Sequence, residues 1–193
     1  MKNILGLLLA LYVVSTVEVA AQTSTTVTMP PQSLKPYAMM QKLAPLAGKW
    51  RMTTSIPGDS GTIWQQVAEE TVMLELRHKG MLLAEKPLSI SAGSFNMETY
   101  LTYDQYRRVY RKVAIDDSWG IMDTYEGKFI GDTLVLTNLA SGTSFPVGDN
   151  KWRFFKLNIQ MPTVAGKRTM LIESSDDGGK NWTPAFQVIY TKI

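Results

Sequence analysis

The sequence predicts an all-β protein, a single antiparallel up-and-down β-barrel of about ten strands with a short N-terminal helix. From Gly48 onward, apolar and polar residues alternate with a period of two, which is the spacing of strands that bury one face. Turn signals separate these runs at short intervals, and strands joined by such short connections must be antiparallel neighbours. Closing the sheet into a barrel removes its exposed edges. A two-sheet sandwich is the alternative.

The first residues have the pattern of a cleaved secretory signal peptide. Lys2 precedes an apolar run from Ile4 to Val14, and Val19-Ala20-Ala21 places small residues at the expected cleavage site. The alternative is a retained membrane anchor, but the run is well short of the roughly 20 apolar residues that span a bilayer. We therefore predict a signal peptide at 1–21 and an exported protein, periplasmic or extracellular.

The amino-acid composition restricts the covalent modifications and the binding partners that can be expected. The chain has no cysteine, so neither a disulfide framework nor a lipid attached to cysteine is expected. The formal net charge is +3, and basic and acidic residues are interspersed along the sequence. A basic run of the kind that binds nucleic acid or an anionic membrane is missing from this pattern. We expect no nucleic-acid partner and no membrane span, and the sequence leaves the oligomeric state open.

A flexible leader and a short helix are predicted ahead of the barrel. Residues 22–36 are rich in Thr, Ser, Gln and Pro and have no apolar periodicity, which is typical of a flexible segment. A helix is predicted over 37–47, and Pro45 is expected to shorten it or end it in a turn. The apolar residues that share its face are Met40, Leu43 and Leu46. The barrel domain is placed at 37–193.

The alternating runs predict ten strands. Their approximate positions are 50–53, 71–76, 82–90, 95–103, 107–115, 121–129, 133–139, 151–159, 168–174 and 186–192.

The segment Leu43-Ala44-Pro45-Leu46-Ala47-Gly48-Lys49-Trp50 resembles the first strand of calycin barrels, in which a helical turn leads to Gly-x-Trp and the Trp plugs one end. The region 40–193 is similar to an uncharacterised bacterial lipocalin-like family, often exported. The shared motifs are Gly48-x-Trp50, Tyr103-Asp104 and the hairpin Ser175-Asp176-Asp177-Gly178-Gly179-Lys180-Asn181-Trp182. The resemblance implies a lipocalin-like barrel and no particular activity.

A more distant resemblance is to nitrobindin, a ten-stranded barrel that holds haem through a histidine near its C-terminal strands. The Leu-Ala-Pro-Leu-x-Gly-x-Trp segment is shared, but the only histidine of this chain is His78, in mid-chain. Met170 or Tyr190 would be the substitute iron ligands. A lone histidine without cysteine is a poor metal-ligand set. We therefore expect no cofactor, no metal and no identifiable catalytic residue.

Two arginines are candidates for ligand binding. By strand parity Arg111 shares a face with Val109 and Val113, and Arg153 shares one with Phe155, so both are expected to point into the barrel. An inward arginine needs a partner, and a ligand carboxylate or phosphate fits its planar guanidinium. The alternatives are pairing with a protein carboxylate or a position in water at the rim. Fatty-acid-binding barrels, which this fold resembles, use inward arginine and tyrosine in this way. The predicted ligand-binding residues are Arg111, Arg153, Tyr190 and Trp50.

Three functions remain open at this point. The first is binding of a small hydrophobic or amphipathic ligand, acidic and lipid-like, inside the barrel. The second is an enzyme that acts on a small ligand in the cavity through carboxylates together with a tyrosine; the candidate carboxylates are Glu70, Glu98, Glu126 and Glu173. The third is a filled barrel with a structural role in the cell envelope. The hairpin 175–182 is interpreted as a structural turn.

Overall fold

The computed structural model describes residues 34–59, 63–89, 96–148, 150–163 and 165–193. The predicted signal peptide at 1–21 and most of the predicted leader lie outside these residues. Within the described ranges, no helix is long and apolar enough to span a bilayer.

A short helix, α1 (Leu34–Gln41), is followed by a 3₁₀ turn at Ala44–Leu46. The helix begins inside the predicted leader, so that residues 34–36 belong to it. Pro45 lies in the 3₁₀ turn, where its fixed φ is tolerated. Trp50 is fully buried, and its Nε1 donates a hydrogen bond to the Leu46 carbonyl oxygen at 2.8 Å. This bond ties the first strand to the turn that leads into it.

Eleven strands follow, and ten of them close into one antiparallel barrel. They are β1 (Gly48–Pro57), β2 (Trp64–Arg77), β3 (Leu82–Ser89), β4 (Met97–Asp104), β5 (Val109–Asp116), β6 (Met122–Ile130), β7 (Thr133–Thr137), β8 (Phe145–Gly148), β9 (Lys151–Gln160), β10 (Lys167–Ser175) and β11 (Thr183–Lys192). Each barrel strand pairs with the next along the chain, β7 pairs with β9, and the β1–β11 pairing closes the circle. The short β8 is outside this circle and pairs antiparallel with the start of β9. The predicted all-β, ten-stranded barrel with a short helix is confirmed.

The up-and-down order gives the barrel two unlike ends. The helix end contains α1 and the β2–β3, β4–β5, β6–β7 and β9–β10 connections; the mouth contains the remaining connections. At the helix end the interior is filled by a core of apolar and aromatic side chains, including Met40, Leu43, Leu46, Trp50, Leu101, Tyr103, Tyr110 and Leu134. Towards the mouth, inward residues such as Met52, Glu70 and Ile172 are only partly buried. Solvent therefore reaches the interior from the mouth.

Candidate functional site

A polar cluster lies inside the barrel, between the helix-end core and the mouth. Its five members come from five strands and are called the interior cluster: Glu85, Thr99, Lys112, Arg168 and Tyr190. They line a cavity of about 20 Å³, together with apolar side chains that include Leu74, Leu83, Leu101, Ile159 and Met170. The alternation of each strand places these polar groups on the inner face with the core residues.

Arg168 and Tyr190 are cross-strand neighbours on β10 and β11. The guanidinium carbon of Arg168 lies 3.3 Å from the centre of the Tyr190 ring and 5.6 Å from that of Trp50. Its Nη2 is 3.9 Å from a carboxylate oxygen of Glu85, and the Tyr190 hydroxyl donates to the other oxygen at 3.1 Å. Burial, followed by the nearby Glu85 charge, raises the pKa of Tyr190, so the phenol stays protonated at neutral pH.

Lys112 faces the same cavity from β5. Its Nζ donates a hydrogen bond to Thr99 Oγ1 at 2.7 Å, and the residue is 8% exposed. Burial lowers the pKa of Lys112; Glu85 partly offsets this effect, and Arg168 adds to it. A negative charge placed near this amine would favour its charged form, since its hydrogen bond goes to a neutral hydroxyl.

The charges in the cluster favour an added anion. Two basic groups, Lys112 and Arg168, lie beside Glu85, and Arg168 Nε is a buried donor without a hydrogen-bond partner. A second carboxyl group, Glu70, lies nearer the mouth, and burial together with the Glu85 charge raises its pKa.

The size of the cavity limits what it holds. A volume of about 20 Å³ is enough for about one water molecule or one oxygen of a small acidic group. A larger ligand fits only if its remaining atoms extend towards the mouth, where the inward side chains are partly exposed.

The expectation that Arg111 faces the interior is wrong. The inner face of β5 carries Tyr110 and Lys112, and Arg111 lies on the outer face with Val109 and Val113. Its side chain is 38% exposed and lies 4.0 Å from Asp104 and 3.9 Å from Glu126. The apolar residues on that outer face are only partly buried. Valines are common on both faces of a strand, so Val109 and Val113 do not identify the inner face of β5.

Arg153 is also outside the interior cluster. It keeps the parity of Phe155, but it lies at the mouth end of β9, where that strand pairs with β8. Its Nε and Nη2 each donate to a carboxylate oxygen of Asp176 at 2.7 Å. This bidentate ion pair is 40–45% exposed, and it corresponds to the alternative of a protein carboxylate partner at the rim.

The other two predicted residues, Tyr190 and Trp50, do lie in the interior. Tyr190 lines the cavity, whereas Trp50 packs behind it with its ring edge-on to the Tyr190 ring at a centroid distance of 6.4 Å. Trp50 therefore supports the cluster and makes no contact with the cavity.

Sequence reasoning missed Glu85, Lys112 and Arg168. For Arg168 a signal was present, because Arg168, Met170 and Ile172 alternate on one face of a predicted strand. Lys112 and Glu85 had no comparable signal, since a lysine or glutamate on a strand is ordinarily a solvent-exposed residue.

The carboxylates proposed for an enzyme do not gather at one place. Glu98 bonds to Tyr100 and Lys86 on the outer face, and Glu173 bonds to Lys156 and Asn158. Glu70 lies inside the barrel. Across the described parts of the chain, no group of three His, Cys, Asp or Glu side chains is close enough to hold a metal ion.

Two further polar networks are structural. Asn138 is fully buried; its Oδ1 accepts from the Phe155 amide at 2.7 Å, and its Nδ2 donates to both oxygens of Asp123 at 3.3 Å. In the β10–β11 hairpin, Asp177 accepts bonds from Ser175 and Asn181, which lower its pKa. These contacts hold loops at the mouth in place.

The chain matches no protein-family model, and a search of curated proteins finds no match. The observed closed barrel is compatible with a lipocalin-like fold. The geometry of the interior cluster is therefore the main guide to function.

Proposed function

We propose that the protein is an exported, lipocalin-like barrel that binds a small amphipathic ligand. This ligand has an acidic head group and an apolar tail. The observation that carries this proposal is the burial of Lys112 and Arg168 on one cavity inside the barrel, which Glu85 also lines.

An acidic head group fits the donors of the cluster. Burying a cationic side chain is costly unless a negative partner accompanies it. Glu85 serves two basic groups at once, and Arg168 Nε has no acceptor. A carboxylate beside Arg168 would accept from the guanidinium and would favour the charged form of Lys112. The head group would then balance the second positive charge.

An apolar tail fits the rest of the lining. Leu83, Leu101 and Met170 surround the cavity, and methionine adapts its shape to a ligand. The tail would extend past Met52 and Ile172 to the mouth, because the cavity itself accommodates only the head group. Export and membership of the lipocalin-like family rest on the residues at 1–21 and on the Gly48-x-Trp50 motif.

Native mass spectrometry of the protein isolated from the envelope of its own host tests this proposal. We expect a stoichiometric adduct that is lost on denaturation and that solvent extraction identifies as an organic acid. The adduct should be lost in Arg168→Gln and retained in the matched control Arg111→Gln, whose arginine lies on the outer face. A bare protein mass in fresh material would favour a filled barrel with a structural role.

A further inference from the structure

The fold collects basic side chains that are dispersed along the sequence. Successive hairpins alternate between the two ends, so residues far apart in sequence meet at the helix end. Among the described residues of this end and of the last three positions of each strand there, eleven basic residues lie outside the interior cluster. They are Lys35, Lys42, Lys49, Arg77, Lys79, Arg107, Arg108, Arg111, Lys128, Lys167 and Lys192.

Acidic side chains are few at the same end. In the described part, Glu75, Asp104 and Asp132 lie there, and the first two are paired with Arg77 and Arg107. The described loops and strand ends at the mouth have the opposite character, with acidic residues that include Asp59, Glu98, Asp116, Asp117, Glu173, Asp176 and Asp177 against the basic residues Lys151, Arg153 and Lys180. The barrel is therefore electrostatically polarised along its axis, with a positive helix end.

Exposed apolar side chains project from the positive end. Tyr106, in the β4–β5 turn beside Arg107, is 88% exposed, and Ile130, at the β6–β7 turn, is 70% exposed. Leu34 on α1, next to Lys35, is 58% exposed. The Tyr106 turn is held by Asp104, whose Oδ1 accepts from the backbone amides of Tyr106 and Arg107. Its aromatic ring is thus presented to solvent by an ordered turn.

We propose that the helix end docks on the surface of a bilayer that contains anionic phospholipids. Basic residues draw a protein to negatively charged head groups, and aromatic or aliphatic side chains among them enter the head-group region. A nucleic acid would satisfy the charges as well, but it offers no apolar layer for Ile130 and Leu34. The observations therefore favour a membrane. In this orientation the mouth faces away from the bilayer, and the docking is independent of what the barrel binds.

Vesicle sedimentation tests the proposal. The exported protein, with its N-terminus determined by mass spectrometry, is mixed with vesicles of phosphatidylcholine alone and with vesicles that also contain phosphatidylglycerol. We expect binding only to the second kind, weakened by added salt. Lys35→Glu/Lys167→Glu should lower the partition coefficient at least about tenfold. The matched control Lys151→Glu/Lys180→Glu changes the net charge equally at the mouth and should leave binding unchanged.

A second pair of variants separates a membrane from a nucleic acid. Tyr106→Ser/Ile130→Ser removes no charge and should weaken vesicle binding several-fold. Loss of binding to the same extent in both lysine pairs would overturn the proposal, since net charge alone would then explain it. Equal binding to both kinds of vesicle would also overturn it. So would a result in which Tyr106→Ser/Ile130→Ser binds vesicles as well as the wild type does, while the wild type binds duplex DNA more tightly than vesicles.

Discussion

Arg168 packs over the ring of Tyr190 inside the barrel, with its guanidinium carbon 3.3 Å from the centre of the phenol ring. The same tyrosine donates its hydroxyl hydrogen to Glu85, which is also the nearest carboxylate to the arginine. Tyr190 thus fixes both the cation and its counter-charge. A cation held against an aromatic face in a water-poor interior keeps its charge at low cost in free energy.

Tyr190→Phe should lower the free energy of unfolding by about 1–3 kcal/mol, because Glu85 loses a buried donor while the ring stays under Arg168. Urea unfolding measures this change. The matched control is Tyr106→Phe, an exposed tyrosine whose variant should stay within about 0.5 kcal/mol of the wild type. Equal effects of the two substitutions would show that the Tyr190–Glu85 bond contributes nothing.

Lys112→Met should alter the dependence of stability on pH. Burial lowers the pKa of Lys112 in the folded protein, whereas in the unfolded chain the pKa of a lysine is about 10.4. Between these two pKa values the unfolded chain therefore holds the lysine proton more tightly than the folded protein does. Lys112 therefore makes stability rise with pH between its folded and unfolded pKa values. Urea unfolding between neutral pH and about pH 10 should show this rise in the wild type and a smaller one in Lys112→Met.

The raised pKa of Tyr190 has the opposite effect and acts above its unfolded value of about 10, where stability falls as pH rises. Both proteins retain this tyrosine, so it does not contribute to their difference. Parallel stability curves for the wild type and Lys112→Met would contradict a lowered lysine pKa.

Asn138→Leu should destabilise the protein by about 2–4 kcal/mol, because the Asp123 carboxylate is left buried without its amide donor and the Phe155 amide without its acceptor. Chemical denaturation checks this value. In the double variant Asn138→Leu/Asp123→Leu the cost should be less than the sum of the two single changes, since neither partner is left unpaired. Additive costs would mean that the two residues do not interact.

Gly127→Ala should be among the most damaging single substitutions in the barrel. An added Cβ would lie 1.9 Å from the Val135 carbonyl oxygen, so β6 and β7 would have to separate. We expect a loss of about 3 kcal/mol or more in unfolding free energy. Gly131→Ala is the comparison: its Cβ meets nothing within 4 Å, and its φ of 60° costs only about 1–2 kcal/mol. Similar losses for both would contradict the close approach.

The sequence contains enough information to predict the barrel and too little to predict its contents. Ten strands were recognisable because each alternates over enough residues to show a period of two. The short β8 (Phe145–Gly148) was missed, since Pro146 and Gly148 are atypical of strands. The start of β2 is absent from the predicted strand as well, because the first residues of Trp64–Arg77 mix apolar and polar side chains without a period of two and are mostly exposed.

The candidate site is harder to predict because both faces of β5 carry apolar or aromatic side chains. Val109 and Val113 suggested an inner face, yet Tyr110 and Lys112 occupy it. Tyr110 packs against Tyr103 and Phe129 and donates its hydroxyl hydrogen to the Met39 carbonyl oxygen at 2.8 Å. These contacts with distant strands and with α1 decide the direction of β5, and local periodicity carries no information about them.

The most direct test of the interior cluster is calorimetric titration with a series of linear carboxylates from acetate to decanoate. We predict that at least one member of the series binds, and that its affinity is the same for the wild type and for Arg111→Gln. Arg168→Gln should weaken binding at least about tenfold, or about 1.4 kcal/mol. Equal affinity in Arg168→Gln and Arg111→Gln, or no binding of any member to the wild type, would contradict an anion site inside the barrel.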